Sequence, residues 1–137
     1  MGRQLTLAQA ESVLGACQAE ATAVGQPMNI AVVDDGGNLV AFVSMDGTKL
    51  IGVDIAQKKA LTAVYFQTDT RDLAALVQPG QPLFGIESTT GGRLVVFGGG
   101  VLLTDAGGAV TGGVGVSAGT VEEDHQVAEA GRRAYAG

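Results

Sequence analysis

The sequence contains no tryptophan, a single cysteine (Cys17), a single histidine (His125) and three prolines. One thiol excludes an intrachain disulfide framework and any multi-cysteine metal site, and leaves Cys17 as a packing residue of a helix. One imidazole means that every histidine-dependent step or ligation has to use His125. Positive charge is also scarce: 8 Lys and Arg stand against 14 Asp and Glu, a formal net charge of -6. The basic residues are scattered, which argues against a nucleic-acid partner and an anionic membrane surface, because both need clustered cations. No basic segment leads into an apolar leader and no apolar run approaches bilayer-spanning length, so a cytoplasmic location is expected.

What is abundant is apolar material and glycine. Hydrophobic residues make up 46% of 137 positions, charged residues 16%, and glycine occurs 22 times. A chain of this size suits one domain, residues 1–137, which hides roughly two thirds of its unfolded surface. Many glycines with few aromatics point to close backbone approaches rather than large side chains filling space.

Thr6 and Gln9 stand in capping-box spacing ahead of Ala10, Val13, Leu14, Cys17, Ala21 and Val24 at helical intervals, and Gly25 and Pro27 end that helix. Met28–Asp34 and Leu39–Ser44 read as strands joined by Asp34-Asp35-Gly36-Gly37-Asn38. From Leu50 to Phe66 the period is helical again, with Val53, Ala56, Ala60, Ala63 and Val64 forming a small-residue stripe able to lie close on a sheet. A short helix from about Arg71 to Val77, capped by Thr70, stops at Pro79, Gly80 and Pro82, and Leu83–Thr90 reads as irregular. Arg93–Phe97, Val101–Thr104 and Ala109–Ser117 read as three strands, the last two joined by Asp105-Ala106-Gly107-Gly108. Thr120 and Glu123 open a final helix with acids in its first turn and Arg132 and Arg133 in its last, complementing the helix dipole. The order α-β-β-α-α-β-β-β-α predicts an α+β fold with a five-stranded, mainly antiparallel sheet flanked by helices. The Asp-x-Gly-Gly runs are turn chemistry, because neither has the strand-loop-helix context of a phosphate loop.

Several runs taken together resemble the GlcG/HbpS-like proteins, whose fold is also found as the C-terminal domain of PduO-type cobalamin adenosyltransferases. They are Ile30–Val40, Met45-Asp46-Gly47, Lys59-Ala60, Pro82-Leu83-Phe84-Gly85, Gly91–Leu94, Phe97–Val101, and Gly115-Val116-Ser117 through Thr120–Asp124. The resemblance spans nearly the whole chain in order. It implies a profilin-like domain, a homo-oligomer, and haem or a related tetrapyrrole as ligand. In haem-binding relatives the axial histidine often comes from near the N-terminal helix, whereas Met1–Gly25 contains none here.

The candidate ligand-binding residues are Met45, Asp46, Phe84, Gly98, Gly99, Gly100, Asp124 and His125. The Gly98-Gly99-Gly100 run permits close approach of a flat group or another backbone, and Phe84 and Met45 supply apolar contact. On a helical projection Asp124 falls toward the packed side with Val121, Val127 and Ala128, and so needs donors from the helix start or a cation. His125 falls at the border of the apolar and polar faces. Lys58 and Lys59 sit mid-helix, where one could pair with Asp46 or Asp124 while the other faces solvent. Three readings stay open: a small-molecule binding protein; a cofactor-free lyase, hydratase or isomerase using Asp124, His125 and Lys59; and an assembly module. No metal motif is visible, because the acidic residues do not converge with histidine or cysteine.

Overall fold

A computed structural model describes residues 3–136. Its elements are α1 (Leu7–Val24), β1 (Asn29–Asp34), β2 (Leu39–Ser44), α2 (Ile51–Phe66), α3 (Thr70–Leu73), β3 (Gly100–Thr104), β4 (Val110–Ser117) and α4 (Val121–Ala134). The strands form one antiparallel sheet in the order β2-β1-β4-β3. Both expected capping boxes form: Thr6 accepts from Gln9 N, Thr120 accepts from Glu123 N, and each glutamine or glutamate side chain returns the bond. In each hairpin an aspartate nucleates the turn. Asp34 Oδ1 accepts from the amides of Gly36 and Asn38, and Asp105 Oδ1 from those of Gly107 and Ala109, all at 2.9 Å.

The sheet is the middle of three layers. On one face Ile30, Val32, Val101, Leu103, Val114 and Val116 pack with α1 and α4 residues such as Val13, Cys17, Val127 and Ala128. Burial pushes the Cys17 thiol up to about 12, against a smaller opposing effect of its hydrogen bond with the Gly131 backbone, so it is an inert packing group. On the other face Ala31 and Val33 meet Ala56, Ala60 and Val64 of α2. This is the small-residue stripe in use. A Cβ added at Gly115 would run into the backbone carbonyl of Ala56, and one at Gly113 would lie 2.8 Å from the carbonyl of Ala60. Glycines in β4 therefore let α2 settle over the middle of the sheet, backbone to backbone.

Two expectations are corrected. The sheet has four strands, since Arg93–Phe97 joins no ladder and the order becomes α-β-β-α-α-β-β-α with short 3₁₀ turns at Ala74–Val77 and Ile86–Thr90. The outer edge of β3, where a fifth strand would pair, is already satisfied by side chains. Gly100 N donates to Thr70 Oγ1 (2.9 Å) and Leu102 N to Asp69 Oδ1 (3.1 Å), while Val95 N turns to Thr62 Oγ1 on α2 (3.0 Å). With those donors used, no backbone ladder is left for Arg93–Phe97. The same bonds account for the second correction: the helix expected over Arg71–Val77 is α-helical only at Thr70–Leu73, and Asp69 is its N-cap without a side-chain cap bond. The Asp69 carboxylate is also clamped by Arg132 at 2.8 Å through both oxygens. Burial alone would raise its pKa, but the hydrogen bonds from Arg132 and the Leu102 amide and the Arg132 charge outweigh that and hold it below the ordinary value.

Candidate functional site

The glycine run begins β3, and α4 begins just after β4, so antiparallel pairing of the two strands brings both to one end of the sheet. Val116 N donates to Gly99 O at 2.9 Å. Into that corner reaches Lys59, from α2 on the far face. Its Nζ donates to the Val116 carbonyl (2.9 Å) and to Asp124 Oδ2 (2.8 Å), and the residue has 0% exposure. Asp124 Oδ1 accepts from Gly119 N at 2.9 Å. The ammonium also lies 5.0 Å from the centre of the Phe97 ring. A Cβ at Gly99 would come within 2.6 Å of Lys59 Nζ, 2.7 Å of the Val116 carbonyl and 2.9 Å of Asp124 Cβ, at a backbone φ of 125°. Gly99 is thus required by an internal ion pair: the protein's own lysine occupies the space that the glycine leaves.

Burial acts on this pair from both sides. It lowers the Lys59 pKa and raises that of Asp124, and in each case the partner's charge and hydrogen bond oppose the shift. The pair links the two helical layers across the end of the sheet. All of its short polar contacts are internal, so in this conformation the pair ties α2 to the start of α4. Adjacent Lys58 pairs on the surface with Asp54 at 2.8 Å.

His125, one residue on, borders a cleft of about 260 Å³ with Arg71, Val121 and Glu122. Gly98 packs against two of these residues, since a Cβ there would meet Val121 Cγ1 at 2.9 Å and Arg71 Cβ at 3.2 Å. Val121 and Phe97 are partly exposed, at 41% and 43%. The His125 Nδ1 is buried without a hydrogen-bond partner. Burial and the Arg71 charge lower the imidazole pKa, Asp69 and Glu129 oppose this, and Arg132 adds to the lowering, so the surroundings favour the uncharged ring.

The remaining sequence candidates lie apart from this corner. Met45 and Asp46 line a separate cleft of about 400 Å³ with Gln18, Val43 and Ser44 where β2 ends beside α1. Phe84 stands 64% exposed in the turn after the first 3₁₀ segment. Gly100 packs against the Lys59 carbonyl and Thr70. Gly98, Gly99, Gly100, Lys59, Asp124 and His125 therefore converge, while Met45, Asp46 and Phe84 line none of the same space. Sequence reasoning placed Arg71 and Arg132 on helices but missed the cleft role of the first and the Asp69–Arg132 clamp, because their partners come from distant segments. Among the described residues no group of three or more His, Cys, Asp or Glu could hold a metal ion, and no helix is long and apolar enough to cross a membrane.

A three-layer α+β domain with a glycine-opened corner and a helix start carrying Asp124 and His125 defines the class of protein. The chain belongs to the HbpS-like family: the family model described as "Haem degrading protein HbpS-like" matches residues 5–133. It is 40% identical over 125 residues to an uncharacterized 15.0 kDa protein of the dhaT-dhaS intergenic region of Citrobacter freundii, covering 91% of this chain and 87% of that protein. It is 42% identical over 103 residues to the corrinoid adenosyltransferase PduO of the same organism, covering 75% of this chain but only 30% of that enzyme. Among solved structures, the PduOC:haem complex matches with a TM-score of 0.91 and 35% identity, covering 95% of this chain and 94% of that one.

Proposed function

We propose that this protein binds haem or a related tetrapyrrole and works as a homo-oligomer in the cytoplasm. The observation that carries the reading is the agreement of fold, over 95% of the chain, with a family structure solved with haem. The His125 imidazole, whose surroundings favour its uncharged form, borders a cleft, Val121 exposes apolar surface in it, and Arg71 supplies a cation for a propionate. These residues fit the group. Bound there, haem would supply an iron centre for ligand and redox chemistry, and the His125 imidazole would hold it. The N-terminal helix α1 offers no histidine, and its cleft presents Gln18 and the Met45 thioether instead.

Self-association is supported by apolar side chains left in solvent at the start of α2, Leu50 at 88% and Ile51 at 66% exposure. Titrating haemin into the purified protein is expected to give a saturable Soret shift that His125→Ala abolishes and Met45→Ala leaves intact. Loss of the shift in Met45→Ala alone would move the ligand to the α1 cleft, and no shift at several-fold excess would end the haem reading. Native mass spectrometry of the same sample gives the subunit number and any retained ligand mass.

A further inference from the structure

A third cleft lies on the opposite side of the sheet from α4, and its origin is the glycine pattern of β4. Because α2 is drawn onto Gly113 and Gly115, it covers the middle of the sheet and leaves the beginning of β2 open. The space between them measures about 250 Å³, room for roughly eight water molecules at ~30 Å³ each. Its apolar lining is Val33 and Leu39 from the hairpin and Leu61 from α2, with Leu39 left 50% exposed. Its polar lining is Asp54, Gln57, Lys58 and Arg93, with Asp54 and Lys58 paired to each other.

Arg93 is the informative residue. It follows Gly91 and Gly92, both in left-handed backbone (φ 66° and 78°), in the segment that failed to become a strand. Its Nη2 donates to the Tyr65 hydroxyl, and the guanidinium carbon lies 5.2 Å from the centre of the Tyr65 ring. Among the described residues no carboxylate pairs with it, although the chain carries a formal net charge of -6. Lys58, on the same wall, is already neutralised by Asp54. One solvent-exposed guanidinium, oriented by Tyr65 and without a carboxylate partner, beside an apolar floor matches a monoanion with a short hydrocarbon body, since a guanidinium presents paired donors to a carboxylate. A dianionic phosphate would want more free cations, and the Asp54 carboxylate in the cleft wall opposes a dianion more strongly than a monoanion.

We propose that this cleft is a carboxylate-binding site in which Arg93, held by Tyr65, takes the carboxylate while Val33, Leu39 and Leu61 cover a short apolar body. The carboxylate can belong to a free short-chain acid or to a tetrapyrrole propionate; only the second source rests on the haem reading, and it would require the tetrapyrrole to sit in this cleft rather than beside His125.

The test is a titration of the isotope-labelled full chain with sodium butyrate, followed by amide and arginine side-chain NMR shifts. Saturable shifts at Gly37, Leu61 and the Arg93 Nε are expected with butyrate and not with butyramide. Arg93→Gln should weaken binding roughly tenfold or more, the usual scale for a charged hydrogen bond, and Tyr65→Phe by a smaller factor. Equal shifts from butyramide, unchanged affinity in Arg93→Gln, or no shift at these residues would overturn the site. Competition separates the sources. Displacement of butyrate by haemin but not by its dimethyl ester supports a propionate in the cleft, and undisturbed butyrate shifts under saturating haemin support a free acid. Because the butyrate arm contains no haem, its failure and that of the haem reading are distinguishable.

Discussion

Lys58 and Lys59 are neighbours in sequence, both paired with an aspartate at 2.8 Å, yet they inhabit different physical worlds. Lys58 and Asp54 are side chains at 34% and 68% exposure, one helical turn apart on α2. Lys59 and Asp124 are at 0% and 3%, on helices from opposite faces of the sheet. The same charge at the same distance is a minor local contact in one case and a structural tie in the other. Water decides the difference: a solvated pair has little to gain, whereas a buried ion left single has lost its hydration without compensation.

The comparison breaks most sharply at Asp124. Asp124→Ala leaves the Lys59 ammonium buried with only a carbonyl and a ring for company, and is expected to cost about 3–5 kcal/mol in denaturant unfolding. Coupling it with Lys59→Met should recover much of that loss, because the stranded charge is gone. If the double variant is no better than Asp124→Ala, the pair is not the source of the effect. Gly99→Ala asks whether the tie needs its space. Its Cβ would press on the lysine and on the Val116 carbonyl in a backbone region that suits glycine, and a loss of about 2–3 kcal/mol is expected by the same measurement. A loss below ~0.5 kcal/mol would mean the corner is looser than the distances imply. Least affected should be Asp54→Ala, at ~0.5 kcal/mol or less and fading with added salt, read from thermal melts at low and high ionic strength. A larger, salt-insensitive loss there would erase the contrast between the two lysines.

The same contrast separates the two groups of candidate residues. The sealed corner around Gly99 and Asp124 holds elements together, while the open clefts, beside His125 and beside Arg93, leave polar groups unused. The glycines that looked like a ligand cradle do admit a close neighbour. For Gly99 that neighbour is a lysine of the chain itself, and for Gly113 and Gly115 it is the backbone of α2.

Local elements were legible because their causes are local. Capping boxes at Thr6 and Thr120, aspartate turns at Asp34 and Asp105, and the alanine stripe of α2 are bonds and periodicities within a few residues. The inward placement of Asp124 followed from a helical projection, and its need for a donor from burial. The fate of Arg93–Phe97 could not be read in the same way, because its apolar residues suit a strand. What withheld the pairing was the occupation of the β3 edge by Thr70 and Asp69, some 30 residues away in the chain.

Composition and pattern alone determined an α+β domain with its helix caps, its two aspartate turns and one histidine for all imidazole chemistry, since each of these depends on residue identity and short spacing. Only the folded arrangement decided which lysine is buried, which edge of the sheet is closed, and that Met45 and His125 line different clefts. Those outcomes depend on which distant groups meet across the sheet, and spacing along the chain carries no record of that.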